Sequence, residues 1–245
     1  MQGRCLADHL GDFLSLSPAE RAALDRLEER IRPLRKHAVL VRERDRSTEL
    51  FTVRSGMLMS YVLLDDGSRQ ILRFIFPGDL VGASALAYPD APETVVALTD
   101  SVVCAFDRAA LGELAAHHPR LMLAVAAVDQ AEHAAMTDRL AGVGRTAAKA
   151  RIAAVLLDIR DRLRRCGEPV ADGFGVGLTQ EEIGDATGLT AVHVNRMLRQ
   201  LEEQGLIARA AGRVRLLDEA ALRRAANYVD RLARVDLSWL PPAAA

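Results

Sequence analysis

His193, Asn195 and Arg196 fall within four consecutive residues of this 245-residue chain. Side chains of these types carry the donors and acceptors that match base edges and phosphates of nucleic acid. Their neighbours say how they would be held. Thr179 and Glu182 form a capping box, which predicts a short helix starting there. Gly188 suits the left-handed position that ends it. Thr190 caps a second helix running to about Gln204 and closed by Gly205. Ile183, Ala186, Leu189, Val194, Met197, Leu198 and Leu201 supply one shared apolar face. Two short helices joined by a tight glycine turn make a helix-turn-helix, with 193, 195 and 196 at the exposed start of the second. Leu206–Arg209 and Val214–Leu217 flank Ala211-Gly212-Arg213, which predicts a β-hairpin wing with arginine near its tip. Solvated arginines on an ordinary helical hairpin are the bland alternative; the agreement of caps, turn, helix lengths and wing favours DNA reading.

Upstream, Ser17-Pro18-Ala19-Glu20 is another capping box, and Leu24, Leu27 and Ile31 extend a helix from about 18 to 31. From 38 to 106 the texture is of short apolar runs cut by glycine turns: Ala38–Arg42, Leu50–Val53, Met57–Leu64, Gln70–Phe76, Val95–Leu98 and Val102–Phe106. Asp65-Asp66-Gly67 is a hairpin turn. Many short strands predict an antiparallel barrel or sandwich. Pro119 starts a long helix through Leu140, in which Leu121, Ala124, Val128, Ala131 and Ala135 follow a 3-4-3-4 spacing. That pattern fits a dimer seam and a local core equally well. Gly142-Val143-Gly144 is the expected break and hinge, followed by an amphipathic helix Thr146–Arg165 and a loop Cys166–Gly177. A helix from Asp218 to about Ala233 and a frayed Pro-Ala tail complete the chain.

Charge supports this division mildly. Residues 1–144 hold 16 basic and 20 acidic side chains, whereas 145–217 hold 12 and 9, so the excess of positive charge sits on the helix-turn-helix. The length predicts two domains. No apolar run approaches the ~20 residues of a membrane span, and the Met1-Gln2-Gly3-Arg4 start lacks the apolar core of a signal peptide. Cys5, Cys104 and Cys166 are too few and too scattered for a disulfide framework, so a cytoplasmic setting is expected. Cys104 reads as a buried strand residue, while Cys5 and Cys166 read as loop thiols open to redox chemistry.

With these features in order, the chain resembles the Crp/Fnr family of bacterial regulators. In the strand-rich half the matching marks are Ser55-Gly56, Asp66-Gly67 and Phe76-Pro77-Gly78-Asp79-Leu80-Val81-Gly82. In the C-terminal half they are Leu178–Ile183, Gly188-Leu189-Thr190, Asn195-Arg196 and Leu201–Ile207. The resemblance implies an α+β fold: an antiparallel β-roll of cyclic-nucleotide-binding type over 1–117, a dimerisation helix and hinge over 118–144, and a winged helix-turn-helix over 145–245. It implies a homodimer on a palindromic double-stranded operator, with RNA polymerase as a further partner of an activator. By position, Arg196 falls on the guanine-reading arginine, with His193 and Asn195 as its base-reading neighbours. Thr179, Gln180, Thr190, Arg199 and Arg213 fall at or near phosphate contacts. Where the family often has glutamate this chain has Val192, so the common operator sequence is not expected.

An effector pocket would involve Gly82, Ala83, Ser84 and Thr94. Cyclic-nucleotide binders of the family carry a Glu and an Arg-Ser or Arg-Thr pair there; this chain has Ala83-Ser84-Ala85 and Pro92–Val96. A buried phosphate without an arginine is uncompensated, so cyclic AMP is disfavoured. Three cysteines cannot supply the family's four-cysteine iron–sulfur cluster. Haem stays open through His9, His37, His117, His118 or His133. No resident cofactor and no metal site are expected. An enzyme is disfavoured, since residues 38–106 hold no histidine for a cupin-like metal and no catalytic motif appears. A ligand-binding module acting through a protein partner is the remaining alternative.

Overall fold

The computed structural model describes residues 3–175 and 177–243. They form two compact units, the first of residues 3–62, 74–133 and 231–243, the second of residues 63–73, 134–175 and 177–230.

The strand-rich stretch folds into β1 (Ile31–Leu34), β2 (Val39–Val41), β3 (Glu49–Ser55), β4 (Leu58–Leu63), β5 (Arg69–Ile75), β6 (Leu80–Val81), β7 (Thr94–Ala97) and β8 (Ser101–Asp107). Two four-stranded sheets result, ordered β1-β8-β3-β6 and β2-β7-β4-β5. Antiparallel ladders join β1 to β8, β8 to β3, β3 to β6, β2 to β7 and β7 to β4. Phe51, Val53, Leu58, Ile75, Val81, Val95 and Val103 fill the space between the sheets. The β3–β4 turn demands glycine: Gly56 has φ +88°, and a Cβ there would lie 2.1 Å from the Ser101 hydroxyl. This is the antiparallel roll the alternating runs predict.

Helices α1 (Leu6–Gly11), α2 (Pro18–Leu27), α3 (Arg108–His117) and the first half of α4 (Pro119–Arg145) cover one side of the same unit. Helix α1 was not expected, and α2 stops at Leu27 rather than 31. Ile31 instead opens β1 opposite Cys104. Glu28 stitches these pieces together, since its carboxylate accepts from Leu6 N at 3.1 Å and Thr52 Oγ1 at 2.6 Å. Burial pushes its pKa up, the cost of placing a carboxyl there.

The long helix corrects two expectations. Leu121, Ala124 and Val128 are buried in the chain's own core, packed with Leu10, Leu24, Leu111 and Leu114, and Ala131 lies at the edge of that cluster. Ala135 is half-buried. The stripe is therefore local core over its first half, the second of the two readings its spacing allowed. The helix also runs unbroken through Gly142 and Gly144 and ends at Arg145. A helical glycine costs only about 1 kcal/mol relative to alanine. The break falls at 146–147, where Thr146 Oγ1 donates back to the Gly142 carbonyl at 2.8 Å.

The tail is a further correction. A helix expected to reach Ala233 ends at Ala226, and the chain then returns to the first unit. There Leu232, Leu237 and Leu240 join the core of α1–α4. Arg120 secures this strap: it pairs with Glu20 at 2.8 Å and donates through Nε to the Pro241 carbonyl at 2.6 Å.

The second unit is built on α5 (Ala148–Arg165), which packs against α6 (Gln180–Thr187), α7 (Ala191–Glu203) and α8 (Glu219–Ala226). Strands β10 (Ile207–Ala210) and β11 (Arg213–Leu216) make a hairpin, joined by β9 (Phe174–Gly175) from within the expected loop. Beneath α8, Asp161 is buried and held by Arg223 at 2.6 Å and Arg160 at 3.3 Å, and burial raises its pKa. The β4–β5 hairpin tip belongs to this unit, where Arg69 grips the Asp185 carboxylate at 2.7 Å and Gln70 donates to the Asp185 carbonyl.

The strap makes a direct prediction. Leu237→Ala removes a buried side chain from the first unit's core and should cost about 2–4 kcal/mol. Urea unfolding should show the loss in the transition of the roll unit, with the transition of the second unit unmoved.

Candidate nucleic-acid interface

Helix α6 begins where the capping box requires. Thr179 Oγ1 accepts from Glu182 N at 3.1 Å and the Glu182 carboxylate accepts from Thr179 N at 2.7 Å. Gly188 ends it in the left-handed region, φ 66°. The turn then folds back so closely on α6 that a Cβ at Gly184 would lie 2.3 Å from the Leu189 carbonyl oxygen. Thr190 caps α7 through His193 N at 3.3 Å. The turn between α6 and α7 is thus held by backbone contact, and the buried faces of the two helices pack beside it.

Helix α7 is sharply two-faced. Val194, Met197, Leu198 and Leu201 are buried, which leaves Val192, Arg196 and Arg199 exposed along the opposite side. Spacings of four and three put these on one stripe. His193 and Asn195 flank it, both half-buried. Thr179, Gln180 and Thr190 are exposed at the starts of the two helices. The structure thus brings together the base-reading residues expected from sequence and the helix-start residues expected near phosphate.

The wing forms as expected, with Ala210 opposite Arg213 and a two-residue turn, Ala211-Gly212, in which both residues have positive φ. Arg213 is exposed, and its guanidinium donates to the Gly173 carbonyl beside β9. Arg209 does not face outward freely. It pairs with Glu202 at 2.6 Å and so ties the wing to the end of α7. Arg215, overlooked in the sequence, is exposed on the same side of β11 as Arg213. The alternation Arg213-Val214-Arg215 around a buried valine was the available signal.

In the roll, Gly82 and Ser84 line a small cavity of about 10 Å³ with Val41, Ser47, Tyr88 and Asp90, the size that holds one water. Ala83 and Thr94 are not part of its lining, and the Thr94 hydroxyl accepts from Glu43 N at 3.0 Å. One acid and no base line this cavity, which does not fit a phosphate anion. The cysteines do not fit a cluster either. Cys5 caps α1, its thiol pushed up to about 11 mainly by burial, while Cys104 is buried in β8 and Cys166 is buried at the end of α5. The expectation of Cys166 as an open loop thiol is therefore corrected. Among the described residues no group of three His, Cys, Asp or Glu side chains is arranged to hold a metal, and no helix is long and apolar enough to cross a membrane.

The Glu202–Arg209 tie gives a pH signature. The hydrogen bond from Arg209 lowers the Glu202 pKa below its ordinary value. Its stabilisation is fully present above that ordinary value and is lost as pH falls through the lowered one. Glu202→Gln should flatten this part of the acid limb in thermal unfolding of the second unit. Both side chains are about a third exposed, so the loss near neutrality should stay below about 1 kcal/mol.

Comparison with known proteins agrees with this architecture. Residues 31–118 match the cyclic nucleotide-binding domain family and residues 150–225 the Crp-like helix-turn-helix domain family. The transcriptional activator protein Anr of Pseudomonas protegens is 32% identical over 85% of this chain and 85% of its own length. The fumarate and nitrate reduction regulatory protein of Escherichia coli is 27% identical over 94% of this chain and 91% of its own. The solved structure of FixK2 from Bradyrhizobium japonicum superposes with a TM-score of 0.69 at 28% identity, covering 88% of this chain and 98% of FixK2. The chain belongs to the Crp/Fnr family and is a transcription regulator, not an enzyme, whose C-terminal half carries a DNA-binding helix-turn-helix.

Proposed function

We propose that the protein acts as a homodimer on an inverted repeat, with the two α7 helices entering successive major grooves about 34 Å apart. The observation that carries this reading is the outward stripe of α7: Val192, Arg196 and Arg199 are exposed while the opposite face is buried. Arg196 supplies the bidentate donor pair that suits guanine O6 and N7. Asn195 and His193 read beside it. Thr179, Gln180, Thr190, Arg199, Arg213 and the added Arg215 hold phosphates and set the register.

The pairing surface follows from the correction to α4. With Leu121, Ala124 and Val128 occupied by the chain's own core, the stripe at Leu123, Ala126, Gln130, His133, Thr137 and Leu140 is exposed. Its 3-4-3-4-3 spacing is that of a two-helix seam. Leu123 and Leu140 are exposed leucines on a helix whose other leucine, Leu121, is buried, and Leu140 is 75% exposed. Association of two copies would remove both from water. A bend at 146–147, just past the expected Gly142–Gly144 hinge, would let the reading helices change register, with the Arg69–Asp185 pair as a link to the hairpin tip. An effector of the roll, if there is one, is then neither a four-cysteine cluster nor a phosphate held in the family's arginine-paired mode. The placement of the three cysteines and the absence of a basic side chain from the cavity lining support this.

Two outcomes test the reading. Arg196→Ala should cost about 1–3 kcal/mol of discrimination at one base pair, measured as the ratio of operator to scrambled-DNA affinity by fluorescence anisotropy. An unchanged ratio would remove Arg196 from base reading. Leu140→Glu should convert the dimer to a folded monomer in sedimentation velocity, with circular dichroism unchanged. A dimer that survives this change, and also survives Leu123→Glu, would place the interface elsewhere.

A further inference from the structure

Val192 is the most exposed of the large apolar side chains on the reading helix, at 83%, while Val194, Met197, Leu198 and Leu201 of the same helix are all buried. Core packing therefore does not account for it. It sits one residue past Ala191, in the first turn of α7 after the Thr190 cap, and recognition helices bring this N-terminal turn to base edges. Arg196 lies four positions on and so on the same face. A valine offers no donor or acceptor, so it reads none of the polar features of a base pair. The apolar feature that an unmodified major groove presents is the thymine 5-methyl group. The β-branched side chain is stiff at χ1, so little conformational freedom is lost when it is packed there.

We propose that Val192 is a specificity-determining residue that selects a thymine through its 5-methyl group. The inference rests on the DNA-reading function proposed above. Four residues of helix rise about 6 Å, and base pairs repeat every ~3.4 Å. The thymine therefore lies about two base pairs from the guanine read by Arg196. Burial of one methyl-sized group converts to about a fourfold change in affinity per half-site.

The test begins with selection of bound DNA from a random pool by the purified full-length protein. Each thymine of the enriched half-site is then replaced singly by deoxyuridine, which removes only the methyl group. The expected result is one position, about two base pairs from the Arg196-dependent guanine, where the replacement weakens wild-type binding about fourfold per half-site. Val192→Ala, which keeps only the Cβ of the side chain, should discriminate methylated from unmethylated DNA less than wild type does, with its circular dichroism unchanged because the residue is outside the core. An enriched repeat with no methyl-sensitive position, or with the same sensitivity in Val192→Ala, overturns the role of Val192 and leaves the DNA-reading function standing. Failure to enrich any inverted repeat, in buffer and with cell extract added, overturns that function and this inference with it.

Discussion

Much of the molecule follows from how α4 divides its faces, one given to the chain's own core and the other to the proposed pairing surface. Leu121, Ala124 and Val128 are committed to the core beneath α1, α2 and α3. That commitment fixes the rotation of the helix about its own axis. The outward stripe from Leu123 to Leu140 is then determined, because residues three and four apart share a face. Arg120 holds the start of the helix by a buried pair with Glu20, and Leu232, Leu237 and Leu240 of the returning tail add to the same core. Wrong rotation of α4 would expose the core stripe and bury the outward one, so the packing and the proposed pairing depend on one set of contacts.

The reading unit obeys a similar economy of faces. Helix α7 buries four apolar side chains and is capped at Thr190, and the turn that leads into it lies close on α6 at Gly184. Glu202 and Arg209 then fix the wing relative to its far end. The outward side chains are thus mounted on a rigid frame, so little of their orientation has to be arranged on binding. The ion cluster of Asp161, Arg160 and Arg223 sits away from this face, between α5 and α8. Its role is structural.

The roll and the reading unit were legible from local signals because those signals are short-range. Capping boxes at Ser17 and Thr179, the left-handed glycine at Gly188 and the alternating strand runs all act within a few residues. What escaped depends on distant partners. The proposed seam and the core stripe of α4 share the same 3-4 spacing, and only the packing of residues such as Leu10 and Leu24 separates them. Gly142 and Gly144 looked like a break because the sequence does not reveal that neighbouring turns carry the helix past them. The stretch after Ala226 was misread because Leu232, Leu237 and Leu240 find their core among residues far away in the sequence. Arg215 was missed although its alternation with Val214 was visible, and whether the roll takes an effector at all was not legible in the sequence.

The central claim is that two copies, paired through α4, read two half-sites on one face of DNA. The most direct measurement is affinity for an operator in which the spacing between half-sites is changed. Inserting about five base pairs, half a helical turn, puts the second half-site on the opposite face of the duplex, whereas inserting about ten restores it to the same face. A dimer paired through α4 should lose affinity on the first insertion, down to that of an isolated half-site, with two chains still present in each protein particle. Affinity that is indifferent to the five-base-pair insertion would contradict it.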